Sequence, residues 1–313
     1  MPVYINAAST ISHQPTFGVP GFSSRLAALT GENELVQPSY KAFIDPVLLR
    51  RMSAILRMGV ACSKDALTQA GGLEPGAIIV GTGLGCLQDT EKFLNNFLSL
   101  EGLIPPTAFI LSTHNTIAGQ ISLSLGCHAY NITHTQNSVS FEMALIDALM
   151  KIAEDGQEVL VGAADEHIPF LDQVASEWGY SGVPLASGVS FCVLSPTANA
   201  NSLAEVPAVS VEVGAKKDDY PKFLEQFLER NQVQWKDIAL VLGSHDRISE
   251  WAGEKADFVN YLSLSGLYPT ASAFAFHYGA DFLHSAREKG SVLIVNTVNP
   301  GNLGLVLLKP IEA

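Results

Sequence analysis

The side chain best suited to act as a nucleophile is the hydroxyl of Ser138. It stands where a polar stretch, residues 131–137, gives way to the apolar run of a predicted helix. Unpaired amides and the helix dipole favour developing negative charge at a helix N-terminus, which suits a nucleophile and an adjacent oxyanion site. Plain N-capping uses the same geometry, and a serine hydroxyl without a neighbouring base is a poor nucleophile. The residues alone therefore favour a capping serine.

Two histidines could transfer protons for such a nucleophile. His245 follows a predicted strand, and His277 opens a predicted helix. An imidazole offers directed hydrogen bonds and titrates near neutral pH, so it can act as an acid or a base. A lone histidine at the end of an element is more often a hydrogen-bonded structural residue. Both interpretations stay open at this point.

Two short motifs resemble cofactor or metal sites but lack the required spacing. The glycine-rich run 81–85 misses the third glycine of a dinucleotide-binding fingerprint, so it predicts a close-packed turn. Asp165, Glu166 and His167 follow one another after a strand and point in different directions, so they cannot readily share one metal ion. We interpret them as loop residues and expect no cofactor and no metal.

The composition is typical of a globular chain that does not bind polyanions. The 313 residues are 47% hydrophobic and 16% charged, with a formal net charge of -13. This charge repels phosphate backbones and anionic membranes, and no apolar run reaches the roughly 20 residues of a membrane-spanning helix. We therefore expect a cytoplasmic protein without nucleic-acid or membrane partners. The four cysteines form no close pair and are expected to be buried small hydrophobes (Cys62, Cys86, Cys127 and Cys192).

Hydrophobic periodicity predicts the same order of elements twice along the chain, a strand, then helices, then a pair of strands. The predicted strands are Val3–Ala8, Ala77–Val80, Glu158–Val161 and Val189–Leu194 in the first half, and Val209–Val213, Ile238–Leu242, Val292–Val295 and Leu303–Leu308 in the second. The predicted helices are Val47–Ala70, Asp89–Leu98, Thr116–Leu125, Ser138–Ile152, Tyr220–Arg230 and His277–Glu288. This pattern favours an α/β fold with two structurally duplicated halves, 1–197 and 198–313, whose last two strands form a hairpin-like sheet edge.

Several segments resemble the β-ketoacyl-acyl-carrier-protein synthases, and the resemblance spans nearly the whole chain. The run Asn115-Thr-Ile-Ala-Gly-Gln120, followed by Leu125-Gly126 and Asn131-Ile-Thr133, is similar to the segment before the family's active-site cysteine. Counting forward places Ser138 at that cysteine. His245 and His277 are similar to the family's two active-site histidines. The resemblance implies a thiolase-like fold with layered α-β-α-β-α architecture, no cofactor and an acyl carrier protein as partner.

Other positions depart from the family pattern. Ser272 stands where the family has a lysine before the second histidine, and Asp246-Arg247 replace a Gly-Thr pair after the first. The segment 296–302 stands where ketosynthases carry a mobile, glycine-rich gating loop, and Pro300 would stiffen it. These departures, with Ser138, imply a chain that has lost the support for condensation.

The main functional hypothesis is a non-condensing, chain-length-factor-like subunit. It would pair with an active ketosynthase through residues 113–125, in polyketide, aryl-polyene or fatty-acid assembly. One alternative is an acyltransferase, thioesterase or malonyl decarboxylase that uses Ser138 as nucleophile with His245 and His277. Another is a homodimeric scaffold that binds an acyl group or a carrier protein without chemistry. For carrier docking, the best basic candidates are Arg50, Arg51 and Arg57.

Overall fold

A computed structural model describes residues 1–31, 33–99, 106–177, 179, 182–286 and 290–311. The strands are β1 (Tyr4–Ile11), β2 (Ala77–Gly81), β3 (Tyr130–His134), β4 (Val159–Asp165), β5 (Gly188–Ser195), β6 (Ala204–Val213), β7 (Ile238–Gly243), β8 (Asp257–Asn260), β9 (Ser291–Asn296) and β10 (Asn302–Lys309). The helices are α1 (Pro46–Leu49), α2 (Ala54–Gln69), α3 (Leu87–Ser99), α4 (Pro106–Leu111), α5 (Thr116–Leu125), α6 (Ser140–Asp155), α7 (Pro169–Glu177), α8 (Tyr220–Arg230), α9 (Ile248–Ala252), α10 (Leu262–Ser265) and α11 (Ser272–Ala286).

The strand order confirms the structural duplication. The ten strands run β3-β2-β4-β5-β1-β6-β10-β9-β7-β8, so each half repeats one order outward from the central β1–β6 junction. Strand β2 is parallel to β3 and β4, and β7 is likewise parallel to β8 and β9. The antiparallel pairs β4–β5 and β9–β10 complete the correspondence.

Three hydrophobic clusters divide the helices into layers. The largest contains α6 and α11, which pack between the two halves of the sheet. A second cluster packs α2 and α5 against the outer face of the first half. The third packs α8 and α9 against the outer face of the second half. Because each sheet face must be covered by apolar side chains, this gives the α-β-α-β-α layering that the resemblance implied.

Several predicted boundaries were wrong for identifiable reasons. The single helix predicted over Val47–Ala70 is interrupted at residues 50–53, between α1 and α2. The strand pairs β4–β5 and β9–β10 were predicted to form sheet edges, but they lie inside the sheet. Strands β1 and β6 lie between the two pairs, and β3 and β8 form the outer edges. The short strands β3 and β8 were missed. Helix α11 begins at Ser272, five residues before the predicted start, and Arg287 and Glu288 lie outside the described residues.

Within the described ranges, no helix combines the length and apolar character needed to cross a membrane. The four cysteines are free and buried, as predicted.

Candidate functional site

Ser138 lies in a 3-10 turn, Asn137–Val139, directly before α6. Asn137 has φ of 56°, in the left-handed region that asparagine tolerates better than most residues. Ser138 is 0% exposed, and its Oγ has no hydrogen-bond partner among the described residues. The hydroxyl therefore neither caps α6 nor contacts a base, and the predicted helix start at Ser138 lies two residues too early.

A buried amide connects the Ser138 turn to the first turn of α6. Asn296, at the end of β9, donates from Nδ2 to the carbonyl oxygen of Ser138 at 2.7 Å and to Glu142 Oε1 at 2.8 Å. Asn296 and Glu142 are both 0% exposed. Gly304 on β10 gives the carboxyl room, because a Cβ there would come 2.7 Å from Glu142 Oε1. The second half of the sheet thus fixes the backbone at Ser138.

Glu142, in the first turn of α6, is a buried carboxyl group with a shifted pKa. Burial raises its pKa from the ordinary 4.5 to about 7, and the hydrogen bond from Asn296 only partly opposes that shift. Its Oε2 is buried without a hydrogen-bond partner among the described residues, as are the hydroxyls of Ser272 and Tyr261. The Ser272 hydroxyl lies close enough to favour the charged carboxylate, although the two groups lack the geometry of a hydrogen bond. Charge at Glu142 is consequently unfavourable.

The structure does not bring the two histidines to the Ser138 hydroxyl. His277 lies on α11, where its Nδ1 is 2.9 Å from Thr10 Oγ1 on β1 and its ring packs against Phe22 at 4.8 Å. Burial lowers its pKa to about 4, so the ring is neutral at pH 7. His245 is exposed, and its Nδ1 accepts a hydrogen bond from the backbone amide of Arg247 at 3.1 Å. Neither ring hydrogen-bonds Ser138 in the described part of the chain.

The glycine-rich segment after β2 forms the close-packed turn that the sequence predicted. A Cβ at Gly81 would lie 2.6 Å from the carbonyl oxygen of Ser140, and a Cβ at Gly83 would overlap Pro269. Glycine therefore allows this turn to contact the start of α6 and the segment before α11 at once.

Asp165 anchors the same turn from the end of β4. Its carboxylate is 0% exposed and accepts hydrogen bonds from five donors, which are Thr82 Oγ1, Gly83 N, Leu84 N, Thr270 N and Thr270 Oγ1. Burial raises the pKa of Asp165, and these donors act in the opposite direction. The interpretation of Asp165 as a loop residue was wrong, because the side chain is the last of a buried strand and holds two loops together.

The next residue, Glu166, lines an apolar cavity of about 330 Å³ beside Asn137. Leu84, Leu171 and Val298 are among its other lining residues. Glu166 is 5% exposed and accepts a hydrogen bond from the amide of Gln88, near the start of α3, at 3.0 Å. Burial and the nearby Asp89 raise its pKa to about 7. His167 contacts Asp172 at 2.9 Å, and no group of three His, Cys, Asp or Glu in the described ranges could hold a metal ion.

Chemically, the arrangement offers a buried serine hydroxyl that has no hydrogen-bond partner among the described residues. The carboxyl of Glu142, in the first turn of α6, is poorly stabilised as an anion. Sequence reasoning missed Glu142 and Asn296, and it assigned Asp165 to a loop. One available signal was Glu142 itself, an acidic residue among apolar neighbours near the start of the helix that follows Ser138. Asn296 gave no such signal, since its role depends on the contact between the two halves of the chain.

Two neighbouring serines allow a direct test of this geometry. We expect Ser138→Ala to leave the free energy of unfolding unchanged or to raise it by up to about 2 kcal/mol, because it removes a buried hydroxyl that makes no hydrogen bond within the described residues. The matched variant Ser140→Ala should lose about 1–2 kcal/mol, because Ser140 Oγ donates to the carbonyl oxygens of Thr82 and Asn137. Urea denaturation measures both. A loss at Ser138 as large as that at Ser140 would contradict the unpartnered hydroxyl.

The duplicated sheet, the two central helices and the buried turn before α6 define a condensing-enzyme fold of the thiolase-like class. The chain belongs to the beta-ketoacyl synthase N-terminal domain family, whose model matches residues 25–240, more than half of its length. No curated protein matches the sequence.

Solved structures show the same fold over the whole chain. A type II PKS acyl-carrier protein in complex with its ketosynthase bound to the hexaketide (AntDE:AntF) matches with a TM-score of 0.81 and 16% identity, covering 99% of both chains. The ishigamide ketosynthase/chain length factor matches with a TM-score of 0.74 and 16% identity, covering 100% of both. A beta-ketoacyl synthase from Burkholderia phymatum STM815 matches with a TM-score of 0.77 and 12% identity, covering 99% of this chain and 100% of the other.

Proposed function

We propose that this chain is a non-condensing, chain-length-factor-like subunit that pairs with a cysteine-bearing ketosynthase. The observation that carries the proposal is the state of Ser138, whose hydroxyl is fully buried and makes no hydrogen bond in the part of the chain that the structure describes. A serine needs an adjacent base to attack a thioester, and His277 is engaged with Thr10 while His245 is on the surface. We propose that Ser138, His245 and His277 are the counterparts of the family's catalytic residues, although within the described residues neither histidine hydrogen-bonds Ser138.

The exposed apolar side chains of the first half support pairing with a second thiolase-like chain. On α5, at the proposed interface 113–125, Leu123 is 77% exposed. On the neighbouring α3 and α4, Leu98 is 81% exposed and Ile110 is 62% exposed. Strand β3 is an outer edge of the sheet, so its free backbone groups can pair with another strand. Large exposed apolar surface of this kind is typical of protein interfaces.

The apolar cavity beside Asn137 supports a role in holding an acyl chain, and an acyl carrier protein is the partner that would deliver it. One solved neighbour is described as an acyl-carrier protein in complex with its ketosynthase, and another as a ketosynthase/chain length factor. For carrier docking, Arg50 and Arg51 are exposed just beyond the end of α1, and Arg57 is half-buried on α2.

We also propose that the protein is cytoplasmic and that the boundary between its halves lies between residues 197 and 198. The pathway that we propose for it is polyketide, aryl-polyene or fatty-acid assembly.

Co-expression with the cysteine-bearing ketosynthases of the same genome tests the pairing. We expect one of them to copurify with the tagged chain in a 1:1 complex. Leu123→Asp should reduce the recovered complex at least tenfold, because it places a charge in the proposed interface. Val213→Asp is the matched control, since Val213 is 74% exposed on β6 in the other half.

The same experiments also distinguish the proposed heterodimer from a homodimeric scaffold. A homodimer with no ketosynthase bound would contradict the proposal and favour the scaffold that binds acyl groups or carrier proteins. A complex that survives Leu123→Asp unchanged would contradict the proposed interface alone. Size-exclusion chromatography with light scattering distinguishes these outcomes by mass.

A further inference from the structure

Three buried polar atoms, on three different segments of the chain, have no hydrogen-bond partner among the described residues. They are Glu142 Oε2 on α6, the Ser272 hydroxyl at the start of α11 and the Tyr261 hydroxyl just before α10. Glu142 and Tyr261 are 0% exposed, and Ser272 is 1% exposed. Buried polar side chains are hydrogen-bonded in the large majority of cases, so each of these atoms requires an explanation. We call the three residues the Glu142 site.

The packing of α6 against α11 brings Glu142 and Ser272 together. Phe141, the neighbour of Glu142, packs edge-on against Phe276 of α11, with 5.4 Å between the ring centroids. Ser272 precedes Phe276 by four residues and therefore lies on the same face of α11. Burial raises the pKa of Glu142, and the Ser272 hydroxyl is close enough to be one of the groups that partly lower it. Within the described residues, the two side chains nevertheless form no direct hydrogen bond.

The sheet places Tyr261 on the same side of the molecule as Glu142. The Tyr261 amide donates to the carbonyl oxygen of Gly243 at 3.0 Å, and Gly243 pairs with Val295 on β9. The next residue, Asn296, donates to Glu142 Oε1 at 2.8 Å. Burial raises the pKa of Tyr261 well above its ordinary value, and the Glu142 carboxyl raises it further. The Tyr261 hydroxyl is therefore within electrostatic reach of that carboxyl.

The three unpaired atoms match the hydrogen-bonding capacity of one water molecule. The hydroxyls of Ser272 and Tyr261 each have a proton to donate, and Glu142 Oε2 can accept one. A water molecule can accept from both hydroxyls and donate to the carboxyl. Buried waters in proteins typically make about three hydrogen bonds, to polar groups that otherwise have no partner.

We propose that the Glu142 site binds one internal water molecule, which accepts from the hydroxyls of Ser272 and Tyr261 and donates to Glu142 Oε2. This water would link α6 of the first half to two segments of the second half, next to the Asn296 amide that holds the carbonyl oxygen of Ser138. A metal ion fits less well, because Mg²⁺ and Ca²⁺ take about six or more oxygen ligands, and no cluster of metal-ligating residues lies in the described ranges. The site is independent of the proposed pairing with a ketosynthase.

A high-resolution crystal structure of the wild-type chain, with rubidium replacing sodium and potassium, tests the proposal. We expect a solvent peak about 2.6–3.2 Å from Glu142 Oε2 and from both hydroxyls, without anomalous scattering from rubidium. The double variant Ser272→Ala/Tyr261→Phe should lose the peak, because it removes both donors. Ser265→Ala is the matched control and should keep it, since the buried Ser265 hydroxyl already donates to the carbonyl oxygen of Gly266 at 2.8 Å.

Direct hydrogen bonds from the hydroxyls to Glu142, with no solvent peak between them, would overturn the proposal. An anomalous rubidium peak at the site would also overturn it, because it would identify a monovalent cation instead of water. A peak that persists in the double variant would overturn the assignment of the two donors. The first two outcomes are read from wild-type protein, so they hold even if the double variant is poorly folded.

Discussion

Glu142→Gln is expected to stabilise the protein at pH 8 by about 3 kcal/mol and to have little effect near pH 4. Burial raises the pKa of Glu142 in the folded chain from 4.5 to about 7, and one pKa unit corresponds to about 1.4 kcal/mol. The folded state therefore binds a proton that the unfolded chain releases between these values. Stability from this group is fully present below pH 4.5, falls as the pH rises to about 7, and is constant above that.

A glutamine has nearly the same shape and no charge, so it removes this pH-dependent loss. Urea denaturation at several pH values measures the difference between variant and wild type. Glu154→Gln, on the same helix but with a side chain that is 71% exposed, is the matched control and should show no comparable gain at pH 8. Glu166 also has a pKa raised to about 7, so the variant should retain part of the wild-type slope. Equal stability of Glu142→Gln and wild type at pH 8 would contradict the buried, poorly stabilised carboxyl.

Asp165→Ala is expected to lose at least about 4 kcal/mol of stability. The substitution leaves five donors without their acceptor, three of them backbone amides, in a region that is closed to water. Each unsatisfied buried group costs about 1–3 kcal/mol, although local relaxation recovers part of the sum. Asp165→Asn keeps one acceptor oxygen and should lose less.

Hydrogen exchange can show where Asp165→Ala loses stability. Hydrogen exchange should accelerate at the amides of Gly83, Leu84 and Thr270, because these lose their acceptor. Asp172→Ala is the control, since the Asp172 side chain is 60% exposed and contacts only His167 among the described residues. A stability loss at Asp165 no larger than that at Asp172 would show that the turn does not depend on this carboxylate.

Much of the fold was predictable because the patterns that indicate its helices and strands lie within short stretches of sequence. The apolar periodicities located α5 and α8 at their observed bounds, and the repeated order of elements indicated the duplication. The edge strands β3 and β8 were missed because their residues are half-buried or exposed and give no apolar run. Helix α11 was placed too late because its first turn, at Ser272, carries no start signal apart from a serine and lies in a buried apolar stretch.

For the candidate site, the sequence indicated that Ser138 precedes a helix but not what surrounds its side chain. Ser138 does stand before an apolar helix, yet its burial and its lack of a base depend on side chains from β9, β10 and α11. His277 illustrates the limit most clearly, since its ring faces Thr10 on β1, and no local pattern indicates which face of α11 contacts which layer. Asp165 and Glu166 are adjacent in sequence, but one anchors a turn and the other lines a cavity, because successive residues at a strand end point in opposite directions.

Intact-protein mass spectrometry after incubation with acyl- and malonyl-carrier protein tests the central claim most directly, with Ser138→Ala as the control. Our account predicts that neither wild type nor variant gains the mass of an acyl group and that the malonyl-carrier protein keeps its mass. An acyl adduct on wild type that is lost in Ser138→Ala would contradict it and establish a serine enzyme. Loss of carbon dioxide from the malonyl group without an adduct would instead indicate a decarboxylase.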